Sequence, residues 1–202
     1  MIAILDYGVG NLKSIHNMFK KVGVNSTITS KNKEIEKASK YILPGVGSFD
    51  YGINNLKKAS FFETLEKEVL ENKKPILGIC LGMQLLSNDS QEGKESGLGW
   101  INASTVKFNL VNQNLTVPHM GWNKINPINI NNIFKNLNEN KFYFVHSYHV
   151  VCHDEKNVLA TCNYGELFTC AIHKENIYGV QFHPEKSHKF GMQLIKNFSM
   201  IK

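Results

Sequence analysis

The segment Leu77-Gly78-Ile79-Cys80-Leu81-Gly82-Met83-Gln84 constrains the fold more than any other part of the sequence. It places a glycine two residues before and two residues after a cysteine, between an apolar run that suits a buried strand and a run that suits a helix. This is the G-x-S-x-G pattern of a tight strand-to-helix turn, with Cys in place of Ser. A thiol there projects from the sheet edge beside unpaired helix amides that favour the thiolate. The segment predicts Cys80 as a nucleophile, the alternative being a buried structural cysteine between two packing glycines.

The first half of the chain alternates apolar runs that suit strands with amphipathic patterns that suit helices. Strands separated by helices indicate a parallel sheet covered on both faces, so we predict an α/β fold. The predicted strands are residues 2–5, 42–43 and 75–79, and the predicted helices begin at residue 12 or cover residues 61–72 and 81–86.

The second half consists mainly of short β-type runs separated by turn residues, which predicts an antiparallel extension of the sheet. Its predicted strands are residues 101–108, 115–117, 142–145, 158–163, 168–173 and 177–182, followed by a closing helix at 190–200. The Asn-rich stretch 126–140 is interpreted as compositional bias and not as a domain boundary. We therefore expect one domain over residues 1–202.

Composition excludes several classes of function. The chain has a net charge of +6, yet all 23 of its basic residues are lysine. Without arginine, the chain cannot recognise phosphate or guanine through a bidentate guanidinium group. The sequence also has no stripe of interleaved lysines and aromatic residues of the kind that binds nucleic acid. No apolar run is long enough for a membrane helix, and no signal peptide is evident. The four cysteines lack CxxC spacing, so we expect no metal site, no redox pair and a reduced, cytoplasmic protein.

A thiolate nucleophile needs a proton partner, and His183-Pro184-Glu185 follows the last predicted strand. Residues i and i+2 of an extended segment lie on one face, and Pro184 disfavours a helical turn at His183. Glu185 could therefore hold one ring nitrogen of His183 and leave the other for the thiol. The alternative is a surface turn with an incidental ion pair.

Backbone amides are the expected oxyanion donors. The amide of Leu81 follows the nucleophile directly, and the glycine-rich turn Pro44-Gly45-Val46-Gly47 is the candidate for a second donor. A phosphate-binding loop is rejected because the G-K-[ST] ending is missing, and Gly8-Val9-Gly10 lacks the third glycine of a dinucleotide fingerprint.

Taken together, these residues resemble the class I, triad-type glutamine amidotransferases, and within them the glutaminase subunits of imidazole glycerol phosphate synthase. The resemblance runs nearly end to end. Its motifs are Asp6-Tyr7-Gly8-Val9-Gly10-Asn11, Leu43-Pro44-Gly45-Val46-Gly47-Ser48-Phe49, Gly78-Ile79-Cys80-Leu81-Gly82-Met83-Gln84-Leu85-Leu86, Pro118-His119-Met120-Gly121-Trp122-Asn123, Phe144-Val145-His146-Ser147-Tyr148 and Gln181-Phe182-His183-Pro184-Glu185-Lys186-Ser187.

The resemblance implies a three-layer class I glutamine amidotransferase-like fold and a role for each matching residue. Cys80 matches the nucleophile, His183 the acid and base, and Glu185 the orienting carboxylate. The amides of Val46 and Leu81 match the oxyanion donors. Positions near the bound glutamine are matched by Gly47, Gln84, Glu92, Ser147 and Tyr148, and positions facing a partner by Asn11, Trp122, Tyr143 and Lys186.

The implied reaction is hydrolysis of L-glutamine to glutamate and ammonia without a cofactor. The ammonia would pass to a separate (β/α)8-barrel synthase subunit in a heterodimer of histidine biosynthesis. A paralogous glutaminase that feeds another amidating enzyme, for example in surface-sugar synthesis, is the nearest alternative. A non-catalytic binding protein on the same fold and a cysteine peptidase with the same turn are more distant ones.

Overall fold

A computed structural model describes residues 1–110, 115–128, 132–137 and 139–201 of the chain. In this part the chain alternates helices and strands in its first half and is mostly β-structure in its second half, as the sequence predicts. The helices are α1 Leu12–Lys21, α2 Asn32–Lys37, α3 Phe49–Lys58, α4 Phe62–Leu70, α5 Leu81–Leu85 and α6 His188–Ser199. The strands are β1 Ile2–Leu5, β2 Ser26–Thr29, β3 Lys40–Leu43, β4 Ile76–Ile79, β5 Asp89–Ser90, β6 Ala103–Lys107, β7 His119–Pro127, β8 Lys141–His146, β9 Tyr148–Cys152, β10 Val158–Tyr164, β11 Glu166–Lys174 and β12 Ile177–Val180.

The sheet has a parallel part followed by an antiparallel part. Strands β2, β1, β3, β4 and β12 lie side by side and pair in parallel. The order then continues through β11, β10, β7 and β8, which pair antiparallel, while β9 joins β11 to β6. The predicted α/β architecture with an antiparallel C-terminal extension is confirmed.

Two apolar cores cover the two faces of the parallel part. Alternate residues of β1 point to opposite faces: Ile2 and Ile4 belong to the core that includes α1 and α6, whereas Ala3 and Leu5 belong to the core under α3 and α4. The result is a three-layer arrangement, with helices on both sides of a sheet whose strands are buried on both faces.

The parallel strands bring three chain segments to the same edge of the sheet. Strands β3, β4 and β12 are neighbours, and Gly78 of β4 is in register with Leu43 of β3 and with Gly179 of β12. Since parallel strands end at the same edge, the turns that follow Leu43, Ile79 and Val180 lie close together. These turns carry the segments that the sequence singled out.

One predicted strand is wrong and several elements were missed. Residues 115–117 form no strand, and half-exposed Val117 precedes Pro118; the strand begins at His119 instead. The sequence of β7, His119 to Pro127, is rich in polar residues and glycine, so it lacks the apolar alternation by which strands are predicted. The other missed elements are β2, α2, α3, β5 and β9.

The Asn-rich stretch 126–140 falls only partly in the described residues. Ile133 and Phe134 within it are buried in the core beside α6, and the side-chain amide of Asn197 donates hydrogen bonds to the carbonyls of Ile133 and Lys135 at 3.0 and 2.6 Å. This part of the stretch is therefore integrated into the fold and is no linker.

Candidate active site

A cavity of about 320 Å³ opens at the edge of the sheet where β3, β4 and β12 end. This volume lies near the lower end of the range for small-molecule sites. The residues that line it are Val46, Gly47, Cys80, Leu81, Gln84, Glu92, Pro118, Val145, His146, Ser147, Tyr148 and His183. Segments far apart in the sequence thus converge on one small cavity.

The turn that carries Cys80 is strained. Cys80 has φ 53° and ψ −111°, a left-handed conformation that a non-glycine residue adopts only where the surroundings enforce it. Its amide donates to the carbonyl of Val180 at 2.8 Å, which continues the pairing of β4 with β12. A Cβ on Gly82 would lie 1.9 Å from the carbonyl oxygen of Leu43, and one on Gly78 would lie 2.6 Å from that of Gly82. Both glycines are therefore required, as the elbow pattern predicts.

The loop after β3 packs against the first turn of α5. A Cβ on Gly45 would lie 2.7 Å from the Cβ of Leu81 and 2.9 Å from the amide nitrogen of Gly82. The buried Tyr7 hydroxyl donates a hydrogen bond to the carbonyl of Pro44 and so anchors this loop to the end of β1. Leu81 is the first residue of α5, so its N–H has no acceptor within the helix. The residues that carry both predicted oxyanion amides, Val46 and Leu81, line the cavity.

His183 and Glu185 form a buried pair beside the cysteine. The Nδ1 atom of His183 lies 2.7 Å from Oε1 of Glu185, and the two side chains are only 2% and 3% exposed. The alternative of a surface turn with an incidental ion pair is therefore excluded. The Nε2 atom of His183 is also buried and finds no hydrogen-bond partner within the described residues. Because His183 and Cys80 line the same cavity, this nitrogen is the one left for the thiol.

The backbone around His183 is held from two sides. Its amide donates to the carbonyl of Tyr143 at 2.9 Å, and its carbonyl accepts from the hydroxyl of Ser187 at 2.6 Å. A Cβ on Gly191 would lie 1.8 Å from the carbonyl oxygen of Pro184, so α6 packs directly against the His-Pro-Glu turn. The pair is thus positioned by β8 and α6 as well as by β12.

Comparison with known proteins identifies the family. The family model of the class-I glutamine amidotransferases matches residues 3–201 of the chain. The chain belongs to the class-I glutamine amidotransferase family. It is 57% identical over 199 residues to imidazole glycerol phosphate synthase subunit HisH 2 of Methanococcus maripaludis, with 98% of each chain covered. It is 48% identical over 204 residues to imidazole glycerol phosphate synthase subunit HisH of Leptospira borgpetersenii, with 100% of each covered.

Two solved structures share the fold of this chain. The structure of PurLQS from Thermotoga maritima superimposes with a TM-score of 0.71 at 16% identity and covers 98% of this chain and 96% of that chain. A crystal structure of a glutamine amidotransferase superimposes with the same TM-score at 17% identity and also covers 98% of this chain and 96% of that chain. The predicted class I amidotransferase-like fold is confirmed by these likenesses.

In this amidotransferase the five residues expected near glutamine all line the cavity: Gly47, Gln84, Glu92, Ser147 and Tyr148. The carboxylate of Glu92 accepts a hydrogen bond from the amide of Phe49 at 2.8 Å, at the first turn of α3. The Gln84 side-chain amide donates to the carbonyl of Tyr148 at 3.1 Å. The loop that carries Glu92 is thereby tied to α3, and Gln84 is tied to β9.

Three of the four residues expected to face a partner lie together on the surface. Trp122 is 40% exposed, packs edge-on to Tyr143 at 6.2 Å and stacks on His188 at 5.5 Å between ring centroids. The exposed Lys186 places its Nζ 5.6 Å from the centre of the Tyr143 ring. Asn11 is exposed at the start of α1, where its side chain accepts from the amide of Ser14 at 3.3 Å.

Three polar groups near the cysteine were not predicted from the sequence. Gln181 is fully buried and its Nε2 lies 3.7 Å from Sγ of Cys80; His146 lines the cavity; and the buried Tyr7 anchors the loop after β3. Gln181 stands two residues before His183 in an extended segment, and this spacing could have identified it. Within the described residues, no group of three or more His, Cys, Asp or Glu side chains could hold a metal ion, and no helix there is long and apolar enough to cross a membrane.

The charge state of His183 makes the stability of the fold dependent on pH. Burial lowers the pKa of His183, but the neighbouring Cys80 thiolate and Glu185 carboxylate outweigh this effect and raise the pKa to about 10. A histidine whose pKa is raised on folding stabilises the fold fully below its unfolded pKa, near 6.5, and loses that contribution as the pH approaches 10. One unit of pKa difference corresponds to about 1.4 kcal/mol.

We therefore expect the free energy of unfolding to fall between pH 6.5 and 10, and to fall less steeply in Glu185→Gln, because that variant loses part of the interaction. The measurement is urea unfolding at several pH values. Glu175→Gln is the matched control, since its carboxylate pairs with Lys73 on the exposed surface. Equal slopes for wild type and Glu185→Gln would contradict the prediction.

Proposed function

We propose that this chain is a glutaminase subunit that hydrolyses the side-chain amide of L-glutamine and passes the ammonia to a separate synthase subunit of imidazole glycerol phosphate synthase. Membership of the amidotransferase family and the names of the full-length relatives support the proposal. The observation that carries it is the cavity itself, in which a strained cysteine meets a buried histidine with a free Nε2.

The proposed reaction begins with attack of the Cys80 thiolate on the side-chain amide carbon of glutamine. The carbonyl oxygen becomes an oxyanion, held by the N–H groups of Val46 and Leu81. One such donor contributes roughly 10²–10³-fold in rate, or about 3–4 kcal/mol. His183 gives its proton to the amide nitrogen, and ammonia departs with the electron pair of the C–N bond. A γ-glutamyl thioester remains on Cys80.

Water completes the cycle. His183, now neutral, takes a proton from water, and the resulting hydroxide attacks the thioester carbon. The C–S bond breaks, Cys80 leaves as a thiolate, and glutamate is released. Throughout both steps Glu185 keeps the His183 ring in one tautomer, because Nδ1 donates to its carboxylate at 2.7 Å.

Glutamine binding is assigned to the remaining residues of the cavity. Glu92 supplies a carboxylate suited to the α-ammonium of an amino acid, while Gly47, Gln84, Ser147 and Tyr148 supply polar backbone or side-chain groups. A carboxylate and several neutral polar groups in a cavity of this size suit one amino acid better than a peptide. The cysteine peptidase alternative is therefore less well supported.

The protein partner of this chain is proposed to be a synthase subunit of (β/α)8-barrel type, and the two subunits are proposed to form a heterodimer. We infer that residues 1–202 form one amidotransferase domain. We also infer that the reaction takes place in the cytoplasm, because all four cysteines are free. The surface formed by Trp122, Tyr143 and Lys186 presents two aromatic rings, a residue type enriched at interface centres, beside an exposed ammonium that can pair with a carboxylate of a partner. We propose that this surface contacts the synthase.

Lys186 is expected to contribute to docking. Replacing it with alanine removes an exposed ammonium beside Tyr143 that can pair with a carboxylate of the partner. We expect Lys186→Ala to weaken the affinity for the synthase about tenfold and to leave the fold unchanged, because the charge is exposed. Isothermal titration with the purified synthase measures the affinity. Lys196→Ala, on α6, is the control, and an unchanged affinity of Lys186→Ala would show that this contact is absent.

Expression in a histidine-requiring strain that lacks its own glutaminase subunit tests the proposed function. Growth without histidine supports it, provided that Cys80→Ala does not support growth. The purified chain, mixed with the synthase of the same organism, should then consume glutamine in a synthase-dependent manner. Absence of growth despite expressed protein, together with no glutamine consumption in the mixture, would contradict the proposal.

A second candidate function keeps the chemistry and changes the partner. Two proteins similar to this chain, one from M. maripaludis and one from Pseudomonas aeruginosa, are both named subunit HisH 2, with the number 2 in the name. They are 57% and 49% identical to this chain. The partner of the present chain must therefore be tested directly. A protein that hydrolyses glutamine with another amidating enzyme, yet fails to restore growth without histidine, would be such a paralogue.

A further inference from the structure

We propose that His119 and His146 are positioning residues for the sulfur of Cys80. This buried histidine pair holds the carbonyl of Tyr148, and that carbonyl holds the side chain of Gln84. Gln84 in turn orients Gln181, which presents an N–H to the sulfur. The inference rests on Cys80 as the proposed nucleophile. It identifies a hydrogen-bond donor to that sulfur and gives a role to two histidines outside the triad that are buried beside the cavity.

The chain of hydrogen bonds ends at the nucleophile. The Nε2 atom of Gln181 lies 3.7 Å from Sγ of Cys80, and Gln181 is fully buried. Its backbone amide donates to the carbonyl of Cys170 at 2.9 Å, so its position is fixed by β11. A neutral amide N–H at this distance stabilises a thiolate without titrating itself. His183 gives up its proton during the reaction, whereas Gln181 retains its N–H throughout.

The orientation of the Gln181 amide is decided by Gln84. The Nε2 of Gln84 lies 3.1 Å from Oε1 of Gln181 and 3.1 Å from the carbonyl oxygen of Tyr148. A backbone carbonyl only accepts, so the nitrogen of Gln84 and not its oxygen must face Tyr148. The same NH₂ group then donates to the oxygen of Gln181, which leaves the Gln181 nitrogen for the sulfur.

The histidine pair supplies the other donor to Tyr148. The Nδ1 atom of His146 lies 2.8 Å from the Tyr148 carbonyl, so this nitrogen carries the proton and Nε2 is an acceptor. The Nδ1 of His119 donates to this Nε2 of His146 at 3.1 Å. The Nε2 of His119 in turn accepts from the side-chain amide of Asn123 at 3.4 Å. The links from Asn123 to Tyr148 all have the same direction, and the carbonyl of Tyr148 then accepts from both His146 and Gln84.

The far end of the chain is anchored on the backbone. The Nδ2 of Asn123 also donates to the carbonyl of Asn163 at 2.8 Å, and its Oδ1 accepts from the amide of Lys124 at 2.8 Å. Asn123 follows Trp122, one of the residues proposed to face the synthase. The hydrogen-bonded chain therefore extends from the β7 surface to Cys80.

Both histidines must be neutral for this chain to form, since a second ring proton would face another donor. Burial lowers the pKa of His119 to about 4. For His146, burial and the charges of His119, His149 and His183 outweigh the hydrogen bond to Tyr148 and lower the pKa to about 3. Phe108 and Phe168 pack on His146 at 5.2 and 5.3 Å between ring centroids, and Glu166 pairs with neighbouring His149 at 3.5 Å.

The test measures the reactivity of Cys80 in the purified full chain, without glutamine or a partner. Alkylation by iodoacetamide is followed across pH by peptide mass spectrometry, which separates Cys80 from the other cysteines. We expect Gln181→Met to lower the alkylation rate of Cys80 at pH 7 about tenfold. We also expect the inflection of the curve of alkylation rate against pH to move to higher pH. His146→Phe should lower the rate about threefold, because the Tyr148 carbonyl to which Gln84 donates loses the hydrogen bond that holds it in place.

A packing control separates positioning from structural support. Phe168→Leu disturbs the same aromatic cluster but removes no hydrogen bond of the chain, so it should alkylate at the wild-type rate. If His146→Phe does not fold, as judged by circular dichroism, His119→Phe breaks the chain one link further out and carries the same expectation.

The proposal is overturned if Gln181→Met alkylates at the wild-type rate with an unchanged inflection. It is also overturned if Phe168→Leu is slowed as much as His146→Phe. Because iodoacetamide needs neither glutamine nor the synthase, failure of the complementation experiment leaves this test intact, and the two proposals can fail separately.

Discussion

Replacing Cys80 with alanine is expected to reduce glutamine hydrolysis at least about 10⁴-fold, measured as glutamate release by the complex with the synthase. Among the described residues, Cys80 is the one cysteine that lines the cavity, which it shares with a buried histidine whose Nε2 has no hydrogen-bond partner there. Without the sulfur, no thioester forms, and the oxyanion donors and bound glutamine remain as the only sources of acceleration.

Cys152→Ala is the matched control for this experiment. Cys152 lies on β9, away from the cavity, and burial and the charge of Asp154 raise the pKa of its thiol to about 12. A glutamine-like diazoketone should label wild type and Cys152→Ala, but not Cys80→Ala. Labelling that persists in Cys80→Ala, or hydrolysis at more than a hundredth of the wild-type rate, would remove Cys80 as the nucleophile.

The substitution Gly82→Ala is expected to have the largest effect on the fold. Its Cβ would lie 1.9 Å from the carbonyl oxygen and 2.8 Å from the carbonyl carbon of Leu43, which are backbone atoms of a central strand. To make room, β3 or α5 must move, and the pairing of β3 with β4 would be disturbed. We expect a loss of more than about 4 kcal/mol in the free energy of unfolding, or no folded protein.

Gly52→Ala serves as the control, since Gly52 is also helical and its added Cβ would contact only side-chain atoms of Leu81 and Leu85, the nearest being Cδ2 of Leu81 at 2.9 Å. A flexible side chain can shift, and alanine favours a helix by about 1 kcal/mol over glycine. We therefore expect a change of less than about 2 kcal/mol at this position. Urea unfolding of both variants gives the comparison, and a Gly82→Ala protein as stable as Gly52→Ala would contradict the close packing of Gly82 against Leu43.

Much of the fold could be predicted where local pattern and tertiary environment agree. Strand β4 and helix α5 are continuous apolar runs separated by the glycine-flanked cysteine, and α1 has apolar residues at helical spacing, so all three were found. Helix α3 was missed although Phe49, Ile53 and Leu56 form its buried face. Its asparagines and Gly52 have low helix propensity, and the helix is stabilised by packing against Leu81.

Strand β7 was missed for a related reason. Gly121, Trp122 and Asn123 are neither uniformly apolar nor alternating, and β7 is stabilised by its pairing with β8, where Trp122 is in register with Tyr143. Pairing between residues distant in sequence leaves no periodic signal in either strand by itself. Missing β7 and β9 meant missing the elements that carry His119 and Tyr148, and with them the hydrogen-bonded chain to Cys80.

The sequence by itself determined the chemical groups of the candidate site. The glycines around Cys80 constrain the backbone of the adjacent turn, and the spacing of His183 and Glu185 places both side chains on one face. Such constraints between residues close in sequence can be predicted from the sequence alone. Only the tertiary structure decided the rest: that the His183 and Glu185 side chains are buried together, that Gly45 brings its loop onto α5, and that Gln181 lies 3.7 Å from the sulfur. These facts depend on strands β3, β4 and β12 ending side by side, because only long-range pairing brings residues a hundred positions apart to one edge of a sheet.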